Sequence, residues 1–343
     1  MSSPLRQLSR GWDSFWFTPM STAPLAVLRI VFGLVSTAWL ISLGPDLFTF
    51  FGPSGLMPTP PALGPGGWTL LTLLNSAAGI LLVWLVALVA AVALTVGLQT
   101  RLAAVVVFVA ITSFERRNGM VFNGGDGLLR NLALLVALSP AGAALSWDRW
   151  RSAPDRFWES PLHASWALRL IQIQVSVVYL STVWAKLQGR TWGDGLATTF
   201  ALRIGDIQRI PTPSFLTDSQ VLTELMTFGT LGVEFAIGVL VWNRAARPWV
   251  LSLGVLFHLT IELSMMVGFF SIAMVTAYIA FLSPRRAERI VRVVRSRAED
   301  WRRRRYQNVT KPGPTAGVDP VTEVSGDATS EVPRVTPNGA SGS

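Results

Sequence analysis

The chain has 343 residues, half of them hydrophobic and only 14% charged, with a positive mean hydropathy. That balance excludes an ordinary soluble domain and places the chain among polytopic membrane proteins. Without cysteine, and with only two histidines, His163 and His258, it excludes disulfides, thiolate chemistry and cysteine-ligated clusters, and no metal site is expected. The net charge of +9 comes largely from the arginine run at 285–305, which points to anionic lipid headgroups and not to nucleic acid.

The opening residues carry Arg6 and Arg10 and lack a small-residue cleavage site after the first apolar run, so that run is expected to be retained as a span. Apolar stretches at roughly 24–44, 78–98, 101–115, 127–145, 166–187, 219–242, 248–265 and 268–283 predict eight spans of an all-α transmembrane bundle, the third and last of them short. The first long loop, FFGPSGLMPTPPALGPGG, contains no basic residue, whereas the segment after the last span is rich in arginine. With eight spans, the positive-inside rule then predicts a multi-pass cell-membrane protein with both termini cytoplasmic.

Three regions are therefore expected: a transmembrane domain over 1–284, a basic amphipathic helix over 285–306, and a disordered tail over 307–343 rich in Pro, Gly, Ser and Thr. In the middle region Ala287, Ile290, Val291, Val294, Ala298 and Trp301 recur at helical spacing between arginines. This describes a helix lying on the inner leaflet. No internal repeat, P-loop, dinucleotide fingerprint, nucleophile elbow or HExxH pattern occurs.

Polar residues inside the spans are costly and therefore informative. In the fifth span Gln172, Ser176, Tyr179, Thr182 and Lys186 follow one another at intervals of three and four, which puts them on one helix face. Two readings stay open: a helix interface with Lys186 snorkelling to the headgroups, or a polar stripe leading from a cavity to a titratable amine. Of 29 basic residues only Lys186 and Lys311 are lysines. Arginine keeps its proton at any working pH, whereas a partly buried lysine can act as a base, so the choice of lysine favours the second reading.

In the seventh span His258 and Glu262 lie four apart on one face; a buried histidine is more often a hydrogen-bonded core residue, but a carboxylate one turn away is also the partner that would orient the imidazole. Arg29 in the first span and Glu234 in the sixth lie seven to nine residues from the inner ends of their helices. Their matching depth predicts a structural ion pair.

With these residues in hand, the chain resembles the HTTM family, the membrane domain shared by vitamin K-dependent gamma-carboxylases and their bacterial relatives. The resemblance rests on PLAVLRIVFGLV, VYLSTVWAKLQGRTWGDG, VEFAIGVLVW and FHLTIELSMMVGFFSIAMVTAYIAFLSP, in family order over roughly residues 22–285. It implies that Lys186 is the base that deprotonates a reduced quinone such as menaquinol or vitamin K hydroquinone, on the outer face. It further implies that His258 is a catalytic residue of the same cavity, that Tyr179, Gln172, Trp192, Glu262 and Asp126 line or support it, and that the enzyme acts on a small peptide or on another acidic C–H bond. The chain departs from the family where Phe122-Asn123-Gly124-Gly125-Asp126 replaces a Trp-Asn-Asn-His stretch, so that Gly125 stands in the place of a functional histidine. It also has no region able to form the β-rich portion of the animal enzymes. These departures weigh against carboxylation of a glutamate. A quinol-dependent enzyme and a non-enzymatic membrane factor in peptide or toxin maturation or export both stay open, with a transporter the least supported.

Overall fold

The structure is a computed structural model that describes residues 4–309 apart from 60, 63, 65 and 66; side chains are described from 6 to 305. The expected disordered tail lies outside the described residues, save its first three, which continue a helix. The chain is mostly helical. The longer helices are α1 (Pro4–Phe17), α2 (Ala23–Leu43), α3 (Ala77–Val96), α4 (Thr100–Arg117), α5 (Gly124–Leu138), α6 (Trp166–Leu187), α7 (Gln220–Leu240), α8 (Arg247–Ser264), α9 (Phe270–Tyr278) and α10 (Pro284–Val309).

Among the described residues α2, α3, α6 and α7 are long and apolar enough to cross a membrane. At 20 to 22 residues each covers about 30 Å, the thickness of a hydrocarbon core. Helices α4, α5, α8 and α9 occupy the other expected spans but are shorter or more polar. Helix α1 was not anticipated. Its end is tied down by a two-stranded antiparallel pairing of β1 (Pro19–Ser21) with β2 (Leu162–Ala164), in which His163 faces Met20 across the strands.

Local signals explain the helix ends. Ser76 starts α3 by accepting a hydrogen bond from the Gly79 amide at 3.0 Å. Asn123 and Asp126 form a capping box at the start of α5. The apolar core joins α2 to α5 through Phe32, Trp39, Leu94, Ile111 and Leu132, all essentially inaccessible, and extends to Ile171 and Tyr179 of α6 and Met274 of α9.

Several cations in the loops between the spans have local partners. Arg130 pairs with Glu115 at 2.5 Å, Arg203 with Asp218 at 2.7 Å and Arg209 with Glu262 at 2.6 Å. Arg116 donates to the Trp68 carbonyl.

Arg29 and Glu234 do not pair. The Arg29 guanidinium, fully buried, donates to the carbonyls of Ala141 and Ala144 at 3.2 Å and of Leu145 at 2.7 Å. A turn that follows α5 thus supplies three oxygens that depth matching of charges cannot reveal, and a hydrogen-bonded guanidinium needs no carboxylate.

Helix α10 begins at Pro284. Ala287 and Val291, expected to face lipid, are buried against Ala23, with Leu145 and Trp158 beside them, while Ile290 and Val294 remain exposed. From Arg297 onward the described residues belong to a separate unit, in which the Arg305 guanidinium stacks 5.1 Å from the Trp301 ring.

Candidate functional site

Helices α6 and α7 run antiparallel, and their contacts fall in a regular ladder. Trp242, just beyond α7, donates to the Ser176 hydroxyl at 2.8 Å. Gly238 packs on Leu180 and Tyr179, and Lys186 Nζ meets Glu234 Oε1 at 2.5 Å. Lys186 is the last residue but one of α6, yet its amine does not run outward. Helical side chains lean toward the N-terminus, so an extended lysine reaches back about a turn and enters the bundle. Its side chain is 20% exposed and that of Glu234 only 7%.

A tight turn follows, with the Gly189 amide bonded to the Lys186 carbonyl. The short helix Arg190–Gly193 then carries the Trp192 ring to 4.6 Å from Nζ, a cation–π contact. Lys186, Trp192 and Glu234 therefore meet at one point.

Halfway along α6 the Tyr179 hydroxyl bonds to His258 Nε2 at 2.6 Å and also to the Tyr278 hydroxyl. All three side chains are buried. Gly254 of α8 makes this possible, since a Cβ there would stand 2.6 Å from the Tyr278 oxygen. Among the described residues His258 Nδ1 and Glu234 Oε2 are buried without a hydrogen-bond partner, so each offers unused capacity.

The remaining expected site residues are placed elsewhere. Gln172 donates to the Ala280 carbonyl at 2.7 Å and accepts from Arg169 at 3.0 Å. Thr182 turns back onto its own helix at Val178. Glu262 does not orient His258. The segment 207–209 is stitched to the end of α8 by backbone bonds from Arg209 to Ser264 and from Met266 to Ile207, and this brings Arg209 onto Glu262.

Asp126 is occupied structurally: one oxygen accepts from Trp39 Nε1 and the other from the Asn123 amide, both at 2.7 Å. Next to it Gly125 lies against Phe270, where a Cβ would come within 2.4 Å of the Phe270 Cα. A histidine at 125 has no room. Phe270 in turn packs edge-on against the His258 ring, with centroids 5.5 Å apart.

An apolar cavity of about 600 Å³ is walled by Leu202, Met226, Val233, Phe257, Ile261 and Met265. Val233 directly precedes Glu234, and Phe257 directly precedes His258, but Lys186 itself is not on the wall. A second, smaller cavity of about 360 Å³ has His258 and Glu262 in its lining. Among the described residues no cluster of His, Asp and Glu could hold a metal ion.

The HTTM domain matches residues 67–285, more than half of the chain and all of the helices just described except α1, α2 and most of α10. The protein belongs to the HTTM family. That domain is found in vitamin K-dependent carboxylase, and with its apolar helices the chain is a helical membrane protein. Comparison with curated proteins and with solved structures gave no match.

Sequence reasoning missed Tyr278 and the true partner of Glu234. A signal for Tyr278 did exist: tyrosine occurs three times in the chain, and two of the three are bonded to one another in the His258 network. Rarity marks Tyr278 as it marks Lys186.

Proposed function

We propose that this HTTM protein is a quinol-dependent membrane enzyme in which Lys186 is the base. The observation that carries the reading is the turn of the Lys186 amine into the bundle, onto Glu234 and beneath Trp192. A headgroup anchor would point the other way. A base needs an unprotonated nitrogen, and Glu234 is the group that can hold the proton and keep Nζ in place. An apolar cavity of about 600 Å³, with Val233 next to Glu234 and Phe257 next to His258 in its wall, suits the isoprene units of a reduced quinone whose ring reaches Lys186, the substrate by this reading. Reduced quinone and O2 together yield a quinone epoxide and water, with O2 as oxidant. Lys186 accepts the quinol hydroxyl proton, while the Tyr179, His258 and Tyr278 network ties α6, α8 and α9 together. A small peptide is the second substrate in this reading.

The bundle is proposed to have eight spans in the cell membrane, termini cytoplasmic, with Lys186 near the outer face and Arg285–Arg305 against anionic headgroups on the inner one. One observation favours a second reading, a non-enzymatic membrane factor in peptide maturation or export: Phe270 fills the space that a histidine at 125 would need.

Purified protein given menaquinol and O2 separates the two. Epoxide formed by wild type and by Lys311→Ala, but not by Lys186→Ala, is the expected result. No turnover with any quinol, together with a normal cellular phenotype for Lys186→Arg, overturns the enzyme, since arginine keeps the charge and cannot serve as a base.

A further inference from the structure

Five arginines converge on a cavity at the opposite end of α6 from Lys186. Arg169 lies 17 residues before Lys186, about 25 Å along the helix. The cavity holds about 910 Å³ and is lined by Arg169, Arg244, Arg247, Arg285 and Arg286, with no Asp or Glu in its wall. Among the described residues none of the five pairs with a carboxylate.

Two of these cations are preset. Arg169 donates to the Phe15 carbonyl and to Gln172, and its guanidinium lies 4.8 Å from the Phe15 ring. Arg247 donates to the Val241 carbonyl at 2.8 Å and sits over Phe281. The clamp of α1 onto α6 through Ser165 makes the wall opposite. Among the described residues the guanidinium groups of Arg244, Arg285 and Arg286 make no hydrogen bond, which leaves them able to close on a ligand. Arg169, Arg244 and Arg247 lie close enough to repel one another. Like charges held together without a counterion are costly, and an anion in their midst reverses the sign of that energy.

The cavity also continues into apolar space. A neighbouring groove of about 400 Å³ shares Arg247, Phe281 and Arg286 with it and runs along α8 to Leu251 and Val255. Val255 then joins the cavity beside Leu259 and Ile272. Guanidinium forks match phosphate oxygens two at a time, and a groove lined by Leu and Val matches a hydrocarbon chain.

We infer that this arginine cavity binds a phosphate-bearing anion, the phosphomonoester headgroup of a lipid whose chain lies along α8. It is a built site, separate from the diffuse attraction of the basic helix to a membrane surface, and it does not depend on the proposed activity of Lys186.

The test uses full-length protein in neutral detergent with a fluorescent phosphatidic acid as probe. Unlabelled phosphatidic acid is expected to displace the probe about ten-fold better than phosphatidylcholine, and Arg244→Gln with Arg286→Gln to weaken binding by about ten-fold or more, as loss of charged hydrogen bonds implies. The pair Arg302→Gln with Arg303→Gln removes the same charge outside the cavity and should leave affinity unchanged. Equal displacement by phosphatidylcholine, or equal affinity of the Arg244 and Arg286 variant, overturns the site; so does an equal loss in the Arg302 and Arg303 control. Inorganic diphosphate as effective as phosphatidic acid would keep the phosphate site but overturn the lipid as its occupant.

Discussion

Lys186 Nζ and Glu234 Oε1 lie 2.5 Å apart between antiparallel helices, one partner near the end of its helix and the other a third of the way in from its own. Removing one member of a mostly buried pair strands the other in a site built for its counter-charge. Glu234→Ala is therefore expected to cost about 3 kcal/mol or more, and the double change with Lys186→Ala less than the sum of the singles. Reversible unfolding in SDS mixed micelles measures the cycle. Additive costs would show that the two side chains do not interact.

The sequence made the helices and the Lys186 face readable because both depend on local spacing. Gln172, Ser176, Tyr179 and Lys186 do fall on one side of α6, and each finds a partner there. The identity of those partners was not readable, because it depends on register between helices. Depth matching treated Arg29 and Glu234 as charges on parallel rods of equal length. It could not see that Lys186 reaches back toward Glu234, nor that carbonyls after α5 would satisfy Arg29. Glu262 went astray for a similar reason, since a loop distant in sequence delivers Arg209 to it.

Gly125 and its neighbour Gly124 should respond in opposite directions to the same substitution. Nothing lies within 4 Å of a Cβ at Gly124, whereas one at Gly125 would strike the Phe270 backbone. Gly124→Ala is expected to be neutral or to stabilise slightly, by about 0.5 kcal/mol, through lost freedom of the unfolded chain. Gly125→Ala is expected to cost about 1–3 kcal/mol by overpacking, and Gly125→His more. Thermal unfolding in detergent, followed by tryptophan emission, checks the sign. A Gly125→His protein as stable as wild type would mean that the segment at Phe270 yields freely.

Arg29 should prove indifferent to Glu234. Its guanidinium uses three carbonyls, a task that one ammonium cannot repeat with the same geometry. Arg29→Lys is therefore expected to lower stability by about 2 kcal/mol, as unpaired buried carbonyls do. Combined with Glu234→Gln, the costs should add to within about 0.5 kcal/mol, because the two residues share no partner. Strong coupling in that cycle would restore the ion pair.

The two tyrosines at His258 are not equivalent, although both end in a buried hydroxyl. Tyr179 bonds to His258 and to Tyr278, so it stands at the centre, while Tyr278 bonds to Tyr179 alone among the described residues. Tyr278→Phe removes one hydrogen bond and leaves Tyr179 still bonded to the imidazole; a cost of about 1 kcal/mol is expected. Tyr179→Phe removes two bonds and leaves His258 Nε2 without its partner, beside an Nδ1 that already lacks one. Its cost should exceed that of Tyr278→Phe by about 1–2 kcal/mol, and the double variant should be little worse than Tyr179→Phe, since Tyr278 has nothing further to lose. A ¹⁵N spectrum of the labelled imidazole supplies the structural readout: the Nε2 resonance should move strongly in Tyr179→Phe and weakly in Tyr278→Phe. Equal shifts in the two would mean that His258 takes its hydrogen bond from both tyrosines, and that Tyr179 does not hold the centre of the network.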